Sequence, residues 1–185
     1  MEAAGRDAMR PLGPPPVVAE PGWVPFKPFR LEAGRGPFVS SDTPGDRLRV
    51  AYFERAESPR LVGRAWFGPG AEGPPGHAHG GSIAAVLDEG MGAAVWLEGR
   101  IAVAVRLVTD FRRMLPLGTD ARLEAWVVGS ERRKMEARGR LVGADGTLFA
   151  ESEGLFVDID PLRFRDLLER AARAQGLDPD AFLRR

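Results

Sequence analysis

The sequence has no cysteine in its 185 residues. That excludes disulfides, thiolate metal sites, iron–sulfur ligation and a cysteine nucleophile, and it fits a reducing compartment. Histidine is nearly absent as well, with only His77 and His79. No apolar run approaches the roughly 18 residues of a membrane span. The first residues, Met-Glu-Ala-Ala-Gly-Arg-Asp, lack the apolar stretch of a secretory signal. The expectation is a cytoplasmic protein without a membrane span. Excess charge of either sign is missing too: Lys plus Arg and Asp plus Glu each total 26. A neutral chain lacks the broad positive field of a nucleic-acid binder, so no nucleic-acid partner is expected.

What is present is a composition that can fold. Hydrophobic residues make up 44% and charged residues 28%, the balance of a soluble globular domain. Eight of the 16 prolines precede residue 41, which excludes regular helix or central strand there. Residues 1–40 read as an extended arm, with Trp23, Phe26, Phe29 and Phe38 placing part of it on the core or on a partner. Residues 41–160 read as one domain and 161–185 as a helical extension.

Within the domain the hydrophobic period predicts the elements. Leu48, Val50 and Tyr52 alternate with Arg47, Arg49 and Ala51, a strand; residues 60–67 form its hairpin partner. A loop rich in Gly and Pro follows over 68–81. Residues 82–97 are apolar nearly all round, as in a buried helix. Gly90 and Gly92 weaken that helix, which predicts compensation by close approach of another backbone. Ile101, Val103, Val105 and Leu107 then read as one face of a strand. Further strands follow at 119–130, 132–143 and 147–158, with a tight turn at Asp145-Gly146. Asp160-Pro161 opens an amphipathic helix for which Gly176 is a plausible stop. Strands clustered around one buried helix predict an α+β fold, an antiparallel sheet wrapped about that helix. A single sheet has edges to cover, which favours dimerisation.

Chemistry concentrates at one place. Both histidines lie in the glycine-rich loop that opens the buried helix. Between Gly80 and Leu97 the only charged residues are Asp88 and Glu89, and a carboxylate in an apolar helix is costly unless it is paired or used. The helix start presents unpaired amides and partial positive charge. Gly80 and Gly81 let a ligand oxygen come close, the geometry of an oxyanion hole. The bland alternative is a simple turn with structurally satisfied carboxylates.

Other chemistries fit less well. Gly80-Gly81-Ser82-Ile83-Ala84 approaches a nucleophile elbow, but that arrangement places its histidine after the serine, and none follows residue 79. His77-Ala78-His79 lacks further ligands at metal spacing. No Gly-Lys-Ser/Thr follows the glycines, which disfavours a phosphate loop. The basic residues Arg132, Arg133, Lys134, Arg138 and Arg140 read first as a solvated strand face and second as phosphate contacts. Arg112 and Arg113 carry the same ambiguity. Trp66, Trp96, Phe111 and Trp126 line an acyl pocket or fill the core, the second being the usual fate of large aromatics.

Residues 73–89, Gly-Pro-Pro-Gly-His-Ala-His-Gly-Gly-Ser-Ile-Ala-Ala-Val-Leu-Asp-Glu, resemble the signature of hot-dog-fold acyl-CoA thioesterases of the His-Gly-Gly, phenylacetate-pathway-like branch. Asp110 to Gly118 is similar to the strand end that follows the helix in that family. The resemblance covers roughly residues 47–159. It implies a hot-dog fold and a homodimer joined edge to edge, with a dimer of dimers as the larger assembly. It implies hydrolysis of an acyl-CoA thioester to free acid and CoA, with CoA as part of the substrate and no further cofactor or metal.

In the site that the resemblance implies, the Gly80 amide donates to the thioester oxygen, with Gly81 nearby. Asp88 is nucleophile or general base, reaching across from the partner chain, and His79 orients the loop. Arg112, Arg113, Ala104 and His77 are candidate substrate contacts. Two positions depart from the family pattern: Gly73 stands where many relatives carry Asn, and Ala104 where many carry Ser or Thr. These departures motivate a second reading, a non-catalytic acyl-CoA or lipid-acid binder. A third, hydration of an enoyl-CoA, requires His77 or His79 to work with Glu89 across the site.

Overall fold

A computed structural model of the protein describes residues 13–27, 38–39 and 45–174. Phe29 and the helix stop expected at Gly176 lie outside the described residues. Seven strands form one antiparallel sheet: β1 (Trp23–Phe26), β2 (Leu48–Arg55), β3 (Ser58–Phe67), β4 (Ala102–Phe111), β5 (Asp120–Glu131), β6 (Lys134–Val142) and β7 (Leu148–Asp158). Their spatial order is β1-β2-β3-β5-β6-β7-β4. Helix α1 (Gly80–Leu97) packs on the sheet, and α2 (Pro161–Ala174) follows the last strand. This is the α+β arrangement expected from the hydrophobic periods.

The core lies between α1 and one face of the sheet. Alternate residues of the central strands turn toward the helix: Leu61 and Ala65 from β3, Leu123 and Ala125 from β5, Met135, Ala137 and Leu141 from β6. From the helix come Ile83, Val86, Leu87, Met91 and Ala94. Full burial of each large aliphatic side chain contributes on the order of 1.5–3 kcal/mol, which makes this interface the main stabilising element. The glycines of α1 are accommodated by side chains rather than by the expected backbone contact. A Cβ on Gly90 would lie 2.9 Å from Leu123 Cδ2, so Leu123 occupies the space a larger helix residue would need.

The opposite sheet face carries charge ladders. Glu124, buried, is held by Arg122 at 2.9 Å and Arg140 at 2.6 Å. Arg138 pairs with Glu153, and Arg60 and Arg140 lie over Trp126. Two residues of the basic stretch, Arg138 and Arg140, are thus committed to cross-strand pairing. An open cleft of about 210 Å³ among Arg106, Val108, Val128, Glu136, Arg138 and Glu153 lies on this face, away from α1.

Two segments differ from the plain periodic reading. The proline-rich arm supplies β1, in which Pro25 pairs with Phe53; as an outermost strand, β1 tolerates a residue without an amide proton. Trp23 packs against Phe53 on the outer face, Phe26 packs against the core, and Phe38 is exposed. In β4, the pairing shifts between Ala104 and Arg106. Val105 is the extra residue of this bulge, so the expected single apolar face is interrupted. Leu107 turns toward the core while Val103 and Val105 remain more than half exposed.

Candidate active site

The loop that opens α1 is stitched before the helix begins. A 3-10 turn at Pro69–Ala71 leads into it. Gly73 N–H donates to His77 O, Ala78 N–H to Leu115 O, and His79 N–H to Ala71 O, all within 2.9 Å. Gly76 adopts φ +74°, a left-handed value that glycine takes without steric cost. Its amide is held by Glu72 Oε1 at 2.8 Å. The segment before the helix is therefore fixed by backbone bonds on both sides.

His79 is the N-cap of α1. Its Nδ1 accepts from Gly81 N–H at 2.9 Å, so Nδ1 is unprotonated in this arrangement. Ser82 Oγ donates back to His79 O at 2.7 Å. The cap uses one of the two glycine amides: Gly81 N–H is taken, whereas Gly80 N–H has no hydrogen-bond partner among the described residues. The oxyanion-hole expectation thus narrows to Gly80, whose amide stands at the positive end of the helix. Phe111, at the end of β4, lies beside it. A Cβ on Gly80 would be 3.3 Å from the Phe111 ring, and that ring is 54% exposed. Of the four aromatics singled out in the sequence, Phe111 is the one placed at this loop. Trp66 is buried, Trp126 lies beneath arginines and Trp96 packs edge-on against Phe164 of α2.

The two carboxylates of α1 have different fates. About 100° apart on the helix, they leave it in different directions. Glu89 turns toward β2, where Tyr52 Oη donates to its Oε1 at 2.9 Å. Asp88 is half-buried and has no hydrogen bond or ion pair among the described residues. Burial alone pushes its pKa above the ordinary aspartate value, because desolvation disfavours the charged form. Its flank is that of Gly92, one turn on, which faces Phe156; Phe156 pairs with Ala104 of β4. Asp88 therefore shares the flank of α1 that meets β7. Eight residues separate Gly80 from Asp88, about 12 Å along the axis. One chain alone cannot bring both to a single carbonyl group.

The remaining candidates divide. His77 is tied to its own loop, Nδ1 lying 2.8 Å from Pro75 O. Arg112 is paired with Glu151 at 2.7 Å and with Asp110 at 3.2 Å. Arg113 donates its amide to Phe149 O. Ala104 is exposed on β4. No hydrogen bond or ion pair joins either histidine to an acid among the described residues. Tyr52 escaped the sequence reading as a site neighbour, since it lies 37 residues from Glu89 and only the fold brings them together.

The family model of the thioesterase superfamily matches residues 75–150, from within the loop through α1, β4, β5 and β6 to the start of β7. Over these residues the chain is similar to the thioesterase superfamily. Curated relatives agree. A Xenopus laevis protein named acyl-coenzyme A thioesterase THEM4 is 35% identical over 112 residues, 60% of this chain and 50% of that one. A Homo sapiens protein named acyl-coenzyme A thioesterase THEM5 is 31% identical over 162 residues, 75% of this chain and 64% of that one. The chain spans about half the length of the curated relatives it matches. Among solved structures, a thioesterase superfamily protein is 31% identical with TM-score 0.56, covering 60% of this chain and 54% of that one. The E. coli PaaI protein from the phenylacetic acid degradation operon shares the fold at 18% identity and TM-score 0.55, over 61% of this chain and 80% of that one. The architecture is the hot-dog fold, one sheet about one helix.

Proposed function

We propose that this chain hydrolyses acyl-CoA thioesters to the free acid and CoA, in a site shared by two copies of the chain. The observation that carries this reading is Asp88: a half-buried carboxylate without a hydrogen-bond or ion-pair partner among the described residues, on the α1 flank that meets β7. A buried, unpaired acid is costly, and use by a ligand or a reaction explains its presence. The names of the curated relatives support the substrate class.

Geometry supports a second copy. β4 ends the sheet with unpaired backbone groups and with Val103, Val105 and Val108 exposed. Such an edge invites pairing with another strand. Pairing of β4 with the partner's β4 under two-fold symmetry brings one protomer's α1 flank toward the other's loop. The Gly80 amide then polarises the thioester oxygen and stabilises the tetrahedral oxyanion. Asp88 takes a proton from the attacking water, or itself attacks the carbonyl carbon to give an anhydride that water opens. In both routes the C–S bond breaks and the CoA thiolate leaves to be protonated. His79 acts indirectly, by fixing the loop that presents Gly80.

Thiol release from a panel of acyl-CoA substrates tests this reading. Asp88→Asn is expected to lower turnover by about two orders of magnitude; near-normal turnover would remove Asp88 from the mechanism. One observation favours the alternative of a non-catalytic binder. A Cβ on Gly73 would lie 2.7 Å from His79 Cα, so a side chain such as asparagine fits there only if the loop shifts. Retained acyl-CoA binding without thiol release above background would establish the binder.

A further inference from the structure

We propose that Tyr52 and Glu89 form a positioning pair that fixes the rotation of α1 about its axis and thereby aims Asp88 into the shared site. This rests on the role given to Asp88 above. Tyr52 is the single tyrosine of the chain, sits buried on the helix-facing side of β2, and spans from sheet to helix to reach Glu89. The surrounding interface is apolar. Gly90 meets the methyls of Leu123, Gly139 of β6 lies under Met91 and Leu87, and Gly154 of β7 lies under Met91.

The hydrophobic driving force behind such contacts is non-directional. A hydrogen bond to a carboxylate is directional and strong. Glu89 is the residue next to Asp88, so the tie acts at the point along the helix where orientation matters. Burial and the two nearby carboxylates raise the Tyr52 pKa well above its ordinary value. The hydroxyl therefore stays a donor across the neutral range. A displacement of about 1 Å at a reacting group is enough to cost up to a hundred-fold in rate.

The test compares Tyr52→Phe, Glu89→Ala and Glu89→Gln in the full chain. With the preferred acyl-CoA, Tyr52→Phe and Glu89→Ala are expected to lower kcat about ten-fold with KM within about two-fold. Glu89→Gln, which keeps an acceptor for the tyrosine, is expected to restore kcat to within about three-fold of the wild type. The double variant Tyr52→Phe/Glu89→Ala should lose no more than either single one. A second readout needs no turnover: the Asp88 carboxyl, labelled with 13C, should titrate closer to the ordinary aspartate value in Tyr52→Phe, as rotation exposes it. Wild-type kcat in folded Tyr52→Phe or Glu89→Ala overturns the proposal. If the wild type releases no thiol, the thioesterase reading fails, and the titration decides the positioning role by itself. Where Tyr52→Phe does not fold, the contrast between Glu89→Gln and Glu89→Ala decides it.

Discussion

At the scale of single residues, His79 shows how one side chain does two jobs. As the N-cap it satisfies Gly81, and by doing so it leaves Gly80 as the amide free for a ligand. His79→Ala is expected to lower stability by about 1 kcal/mol, the usual cost of losing a cap, with His79→Asn recovering most of it; urea midpoints of the three proteins measure this. Arg132 stands in the β5–β6 turn with φ 53°, a backbone region that costs a non-glycine residue about 1 kcal/mol. Its carbonyl is held by Arg100, which any residue there preserves. Arg132→Gly should therefore raise stability or leave it unchanged, whereas Arg132→Val should lower it.

Asp88 behaves oppositely to a salt-bridged carboxylate. Its folded pKa is raised, so the native state holds the proton more tightly than the unfolded chain. The associated stability is present below the ordinary aspartate value and is lost as pH rises through the raised one. Asp88→Asn is thus expected to raise Tm at neutral pH while abolishing turnover, with the gain in Tm vanishing in acid. The acid limb of kcat/KM should fall above the ordinary aspartate range. The sequence revealed Asp88 because a charge inside an apolar helix is conspicuous. It did not reveal the division between Gly80 and Gly81, which depends on the rotamer of a histidine.

At the scale of elements, α1 and the central strands were legible because their burial is complete within one chain and imposes a clean period on the sequence. β4 was less so. Its run of valines has the composition of a core strand, yet the structure leaves Val103, Val105 and Val108 exposed. Hydrophobicity reports that a surface is to be covered and not by whom. The bulge at Val105 also breaks the alternation on which the facing of a strand is read. β1 escaped notice because its prolines argued against strand, and only an edge position makes Pro25 compatible. In α2, the apolar residues are used in part: Phe164 packs on Trp96 while Leu167 stays 56% exposed. The expectation specific to this scale concerns β4. Val105→Lys combined with Val108→Lys should convert a dimer to a monomer in sedimentation experiments and abolish thiol release, because a charged edge resists pairing. An unchanged sedimentation coefficient would place the interface elsewhere.

At the scale of the whole molecule, the chain reads as half of a site. The Gly80 amide and the Asp88 carboxylate, both without partners among the described residues, lie about 12 Å apart along one helix, too far to act on one carbonyl. The central claim is that these groups meet across two protomers. Gly80→Pro tests the amide cleanly. Position 80 is the first residue of the helix, where proline is favoured. His79 has φ −65° and ψ 135°, which suits a residue before proline. The nearest obstacle is the movable ring of Phe111. The most direct measurement mixes unfolded Gly80→Pro and Asp88→Asn chains, each inactive by itself, refolds them together and follows thiol release from an acyl-CoA. Random pairing gives mixed dimers in which one of the two sites has both native groups, so recovery to about a quarter of wild-type turnover is predicted. A mixture no more active than its parents would contradict a site shared between copies.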